Sequence, residues 1–281
     1  MAEKIGIMDV GGGMRCVFGA GVLDRFLADD VHFDYCLGIS AGSGNLASYL
    51  AGQFGRNLRF YRDYAQRSEY MSLKNFLLKK NFLDLSYIYG TITNSGGEDP
   101  VDYEALKADP SEFLIAATNV RTAKVHFFTK EDIVKDDYSV LMASCAIPIL
   151  ERPVTICGNK YCDGGILSPI PYMKAFADGV TKLYIILTLP LDMPLDVSKQ
   201  KPFLRLLHPR YPELEAALMR RGDQYNKQLS IIRERYVPSG KIVLIAPESL
   251  MGMSTFTVEP DRMQALYDMG YHIAGEIEKD M

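Results

Sequence analysis

The chain has 281 residues, of which 48% are hydrophobic and 23% charged, a make-up that supports a sizeable core and excludes extensive disorder. Length does not divide it, because α/β folds of roughly 200–250 residues commonly form one unit, and a single domain over 1–281 is expected. A formal net charge of −4 excludes a broadly basic surface, so no nucleic-acid partner is expected.

In chain order, the first apolar run, Ile5–Val10, reads as a strand. Only Lys4 precedes it as a basic residue, and Asp9 and three glycines break it, which is not the pattern of a signal-peptide core. Gly11-Gly12-Gly13-Met14-Arg15 follows, ahead of a helix over Phe18–Leu27 in which Phe18, Val22 and Phe26 recur at helical spacing. Consecutive glycines at a helix N-terminus expose backbone N–H groups to an anion. The loop misses the dinucleotide fingerprint G-x-G-x-x-G, because Cys16 stands where the last glycine is needed. It also lacks the lysine and serine or threonine of a Walker loop.

Tyr35–Ile39 reads as the second strand and Gly42–Leu50 as the second helix, joined by Gly38-Ile39-Ser40-Ala41-Gly42. A serine flanked by glycines between strand and helix is the context of a nucleophile elbow, although the same pattern also serves ordinary turns. Strand, turn and helix thus occur twice, implying parallel strands with ligands at their carboxyl ends. Met71–Ile92 mixes Leu73, Phe76, Leu77, Leu78, Phe82, Leu83 and Leu85 with Lys74, Lys79 and Lys80. It reads either as an interfacial face whose lysines meet anionic head groups or as a core helix with a solvated basic edge.

Thr93–Pro100, with Gly96 and Gly97, reads as a loop, and Phe113–Ala117, Val125–Phe128 and Val154–Ile156 read as strands. Asp163-Gly164-Gly165 then precedes Pro169 and Pro171. Its glycines free the carboxylate to approach another loop, yet such a triplet is most often a hairpin turn. Leu183–Leu189 reads as a strand, and the apolar run to Leu191 is too short to span a bilayer. After a loop over Leu191–Pro202, Pro202–Leu207 with His208 and Arg210 forms a second basic and apolar segment. A helical C-terminal extension from about residue 203 contains Tyr211–Arg235, with Leu214, Leu218, Tyr225, Leu229 and Ile232 inward. Strand Ile242–Ala246 follows, then a last helix from Pro260 with Met263, Leu266, Tyr267, Ile273 and Ile277 on its apolar face. Five cysteines without a C-x-x-C pair signal neither a disulfide framework nor a zinc site. A soluble cytoplasmic protein that can dock peripherally on a membrane is expected.

The glycine-rich loop Gly11–Arg15, the elbow Gly38–Gly42 and Asp163-Gly164-Gly165 stand in the order of the bacterial patatin-like phospholipase family, which this sequence resembles over most of residues 5–180. The text between them is similar too: Gly19-Ala20-Gly21-Val22-Leu23, Ala143-Ser144-Cys145-Ala146-Ile147-Pro148 and Leu167-Ser168-Pro169-Ile170-Pro171. The resemblance implies a three-layer α/β/α fold with a mainly parallel central sheet. It also implies a Ser–Asp dyad in which Ser40 attacks an ester carbonyl and Asp163 takes its proton, with neither metal nor cofactor. A Ser-Asp-His triad in the usual order would need His208 or His272, and His272 falls within the last helix.

An unperturbed aspartate, with a pKa of about 3.9, is a feeble base, so catalysis must lean on positioning and on oxyanion donors from the glycine loop, and turnover is expected to be modest. Arg15 either anchors a lipid phosphate, fixes the loop or forms a surface ion pair. The family usually has glycine where this chain has Cys16, and if that position requires a positive φ, a Cβ there strains and weakens the loop. The expected activity is a phospholipase or lysophospholipase. A carboxylesterase or lipase using the same dyad, and a non-catalytic lipid-binding module, are the alternatives.

Overall fold

The computed structural model describes residues 3–72, 75 and 81–277. Eight strands, β1 (Ile5–Asp9), β2 (Tyr35–Ile39), β3 (Glu112–Asn119), β4 (Lys124–Thr129), β5 (Val154–Ile156), β6 (Asn159–Asp163), β7 (Lys182–Ile186) and β8 (Ile242–Ile245), make one sheet. Its centre runs β8-β7-β1-β2-β3, all parallel. These strands are near-continuous apolar runs because helices cover both faces, so that odd and even positions are both buried.

Successive side chains point to opposite faces. Ile7, Cys36, Ile115 and Tyr184 join a cluster with Phe18, Val22, Leu46, Met263 and Leu266. These come from α1 (Val17–Ala28), α2 (Ala41–Leu50) and the final helix Pro260–Ile277. Met8, Leu37, Leu183 and Ile185 face the other way, onto Tyr172, Tyr225 and Leu229 of the helices Tyr172–Ala177 and Pro212–Ile231. The result is a three-layer α/β/α fold with a mainly parallel sheet. Burial of each large apolar side chain contributes about 1.5–3 kcal/mol relative to exposure.

Around β3 the pairing changes partway along. β2 pairs with residues 112–116 of β3, and antiparallel β6 takes over at 117–119. Antiparallel β4 occupies the other edge along 114–119. Ile39, at the end of β2, therefore pairs with Ala116, and Asp163, at the end of β6, pairs with the next residue, Ala117. This register sets the start of the elbow beside the aspartate.

Several elements depart from the sequence reading. The hairpin turn lies at Cys157-Gly158 between β5 and β6. Both residues have positive φ (47° and 77°), as a two-residue hairpin turn requires. Asp163-Gly164-Gly165 is instead a strand end that opens the 3-10 turn Gly164–Ile166. As the sequence reading expects, the C-terminal part also supplies a strand, β8, which pairs with β7 in the main sheet, and a final helix that joins the core around α1. In the Met71–Ile92 segment, Leu83, Leu85, Ile88 and Ile92 are buried; Leu73, Lys74, Phe76, Leu77, Leu78, Lys79 and Lys80 lie outside the described residues. Among the described residues no helix is long and apolar enough to cross a membrane.

Candidate active site

Ser40 sits between β2 and α2 with φ 54° and ψ −136°. A non-glycine residue held there stores of order 1–3 kcal/mol of strain and persists only when its surroundings over-determine it. They do so here. The Ser40 N–H donates to Ser144 Oγ at 2.9 Å, and that hydroxyl donates to Ala116 O at 2.7 Å, tying the elbow to β3. The Ser40 carbonyl accepts from Ser43 N at 2.9 Å and from Ser43 Oγ at 2.6 Å. These constraints all act on the backbone of Ser40 and none of them engages its hydroxyl.

Of the other elbow residues, Gly38 and Ile39 close β2, opposite Ile115 and Ala116, and Ala41 and Gly42 open α2. Gly42 is a glycine because β1 passes close by: a Cβ there would stand 2.5 Å from Asp9 Oδ1. Gly42→Ala is therefore expected to destabilise the fold by about 1–3 kcal/mol through overpacking, read as a melting temperature several degrees lower.

Gly11, Gly12 and Gly13 have φ of 76°, 144° and 62°. The loop lies against the elbow, since a Cβ on Gly11 would be 2.8 Å from Ser40 Cβ. Its other anchors are hydrogen bonds from Thr188 Oγ1 to Gly11 O (2.6 Å) and from Met14 N to Thr255 O (3.0 Å). Arg15, half-buried, turns its Nε back to Gly12 O at 3.4 Å, the geometry of a residue that fixes the loop. Cys16 is buried with φ −65°, so its Cβ causes no strain. Burial pushes its thiol well above the ordinary range, reinforced by Asp9.

Sequence reasoning passed over Asp9. It is fully buried at the end of β1 and accepts from Gly11 N (3.0 Å) and Asn45 Nδ2 (2.9 Å). Asn45 also donates to Cys16 O (2.9 Å) and accepts from Tyr61 (3.0 Å). The network joins loop, α1 and α2 beneath the elbow. Burial raises the Asp9 pKa to about 6 against the opposing effect of these hydrogen bonds. A charged residue inside an otherwise apolar strand was the available signal.

Asp163 is buried, its Oδ1 accepting from Gly165 N at 2.7 Å. Burial raises its pKa, while the Arg221 charge, a hydrogen bond from the Ser40 side chain and the Gly165 N–H pull it back. The net direction is upward, so this carboxylate is a stronger base than an unperturbed aspartate. Gly164 and Gly165 follow in the 3-10 turn, and Arg221, which the sequence reading did not single out, donates from Nε to Gly165 O at 2.8 Å.

Ser40, Gly13 and Met14 line a pocket whose other walls include Tyr61, Leu83, Leu85, Ile88 and Ile92. A hydroxyl that acts on the titration of a buried carboxylate, backed by a glycine loop and opening on mainly apolar walls, can carry out nucleophilic acyl transfer. All four histidines are exposed. His32, His208 and His272 lie beside Asp30, Glu215 and Glu276, and His126 meets Phe128 edge-on. Among the described residues no group of three His, Cys, Asp or Glu side chains is gathered as a metal site requires.

A family model described as patatin-like phospholipase matches residues 10–176 of the chain. Another, described as a domain of unknown function (DUF6363), matches residues 211–281. The uncharacterized protein YjjU of Escherichia coli (strain K12) is 30% identical over 197 residues, 68% of this chain and 53% of that protein. The chain thus spans about half the length of this curated relative. The crystal structure of VipD from Legionella pneumophila matches with a TM-score of 0.50 and 12% identity, covering 99% of this chain and 67% of that one, a likeness of fold alone.

Proposed function

We propose, from the premise that the chain belongs to the patatin-like phospholipase family, that it hydrolyses fatty-acyl esters of phospholipids or lysophospholipids through an acyl-enzyme on Ser40. The observation that carries this reading is the register along β3, where Ile39 and Asp163 pair with successive residues, which supports a nucleophile and base that work without a histidine. In the first step the Ser40 oxygen attacks the ester carbonyl carbon and Asp163 takes the hydroxyl proton. The tetrahedral oxyanion forms beside the N–H groups of Gly12 and Gly13. Gly11 N–H is already engaged by Asp9 and Met14 N–H by Thr255, and each oxyanion donor is typically worth about 10²–10³ in rate. Collapse expels the alcohol, which recovers the proton from Asp163. The same carboxylate then deprotonates a water that releases the fatty acid, a contribution of about 10²–10⁴.

The apolar pocket beside Ser40 supports a long acyl chain as the group transferred. Peripheral membrane contact is supported by the segment that follows residue 197. Phe203 and Leu206 are 63% and 70% exposed, among the exposed side chains of Lys199, Lys201 and Arg205, the mixture that suits an anionic interface. The concern that Cys16 disables the loop, which favoured a non-catalytic binding module, loses its basis at φ −65°.

Rates on micellar lysophosphatidylcholine and on a short soluble ester separate lipase from esterase. A rate that jumps at the critical micelle concentration is the expected result. Equal or faster turnover of the soluble ester, with no such jump, would assign the chain to general carboxylesterases.

A further inference from the structure

The long helix Pro212–Ile231 lies in the region matched by the domain of unknown function. Along it and its continuation, positions 214, 218, 221, 225, 228 and 232 recur at alternating spacings of four and three, the pattern of an inward face. Leu214, Leu218, Tyr225 and Ile232 fill that face and are buried, but Arg221 and Gln228 interrupt it. Polar groups turned inward are costly unless hydrogen-bonded, and here the partners are all backbone groups just after Asp163. Arg221 Nε donates to Gly165 O (2.8 Å), Gln224 Nε2 donates to Leu167 O (2.8 Å), and Gln228 Oε1 accepts from Ile170 N (3.2 Å).

We propose that this helix splints the aspartate loop and that Arg221 is a positioning residue, presenting a counter-charge to the Asp163 carboxylate across the missing side chain of Gly165. The inference rests on the dyad reading above and extends the site into the C-terminal region. A Cβ on Gly165 would stand 3.1 Å from Asp163 Oδ1 and 3.4 Å from Arg221 Nη2, so glycine there keeps a side chain from crowding both the guanidinium and the carboxylate.

The groups facing Asp163 are Ser40, the Gly165 N–H, Arg221 and the thiols of Cys16, Cys145 and Cys162. Burial pushes all three thiols upward, so they are neutral at working pH. Arg15 sits near Arg221, whose charge opposes its own. Among the described residues, the cation opposing protonation of Asp163 is thus Arg221. Only the ionised carboxylate can take the Ser40 proton, so activity rises with pH through its pKa, and removing the guanidinium moves that acid limb to higher pH.

The test follows the rate of Ser40 labelling by a fluorophosphonate, and of short-ester hydrolysis, from about pH 5 to 9. Wild type is compared with Arg221→Gln, Arg221→Lys and Gly165→Ala, with melting temperatures alongside. Arg221→Gln is expected to shift the acid limb upward by about one pH unit or more. Arg221→Lys, which keeps the charge, should restore most of its position, and Gly165→Ala, which places a methyl between the charges, should shift it in the same direction by less. Should Arg221→Gln not fold, the other two variants decide. A wild type that labels, with folded variants following its pH curve, overturns this inference alone; a wild type that does not label overturns the dyad reading beneath it.

Discussion

Ser40→Ala is expected to lower acyl-ester hydrolysis by about 10³-fold or more, the scale seen when a serine nucleophile is removed, while the protein melts within a few degrees of wild type. The separation of the two effects follows from how the elbow is held. Its hydrogen bonds run from the Ser40 amide to Ser144 and from Ser43 to the Ser40 carbonyl, so alanine keeps every backbone constraint. The positive φ is strained for alanine as it is for serine, so no new cost enters. What is lost is the oxygen proposed to form the acyl bond. Free fatty acid release, with circular dichroism as the control for folding, checks both halves of the expectation. A variant retaining a tenth of wild-type activity would mean that another group is the nucleophile.

Asp163→Asn should cost about 10²–10⁴ in kcat, the usual reach of a general base. The amide oxygen can still accept from Gly165 N–H, so the 3-10 turn is retained, but no lone pair basic enough to take the Ser40 proton remains. Because burial already raises the Asp163 pKa, the neutral amide resembles the form that burial favours, and the melting temperature is expected to change little. Replacing His32, His126, His208 or His272, all exposed, should leave at least about half of the activity, as surface substitutions usually do. A histidine variant as inactive as Asp163→Asn, yet folded, would restore the triad.

What the sequence made legible, and what it did not, follows the range of the interactions involved. Ser40 and the glycine loop were readable because their demands show as glycines in the sequence, a positive φ at 11 and a closely passing strand at 42. Asp163 was readable only through the company of the other motifs, since its place beside Ser40 is created by β6 taking over from β2 along β3, more than a hundred residues away from the elbow in the chain. Ser144 lay inside a recognised stretch, but its task of joining Ser40 N–H to Ala116 O depends on three elements meeting. Asp9 was seen only as a break in an apolar run. Arg221 and Gln228 stood at inward positions of a long helix, and that interruption was the clue to a partner that periodicity alone cannot name. Cys16 stands in a pattern normally filled by glycine, yet its conformation is ordinary helix, which a pattern of residue types does not reveal.

The hydroxyl at position 40 is expected to be activated by the carboxylate at 163. Treatment with a fluorophosphonate, followed by intact mass and peptide mapping, tests it most directly. One adduct per chain, mapped to Ser40, absent from Ser40→Ala and strongly slowed in Asp163→Asn, is the result expected. An unlabelled wild type, or an adduct on any other residue, would contradict it.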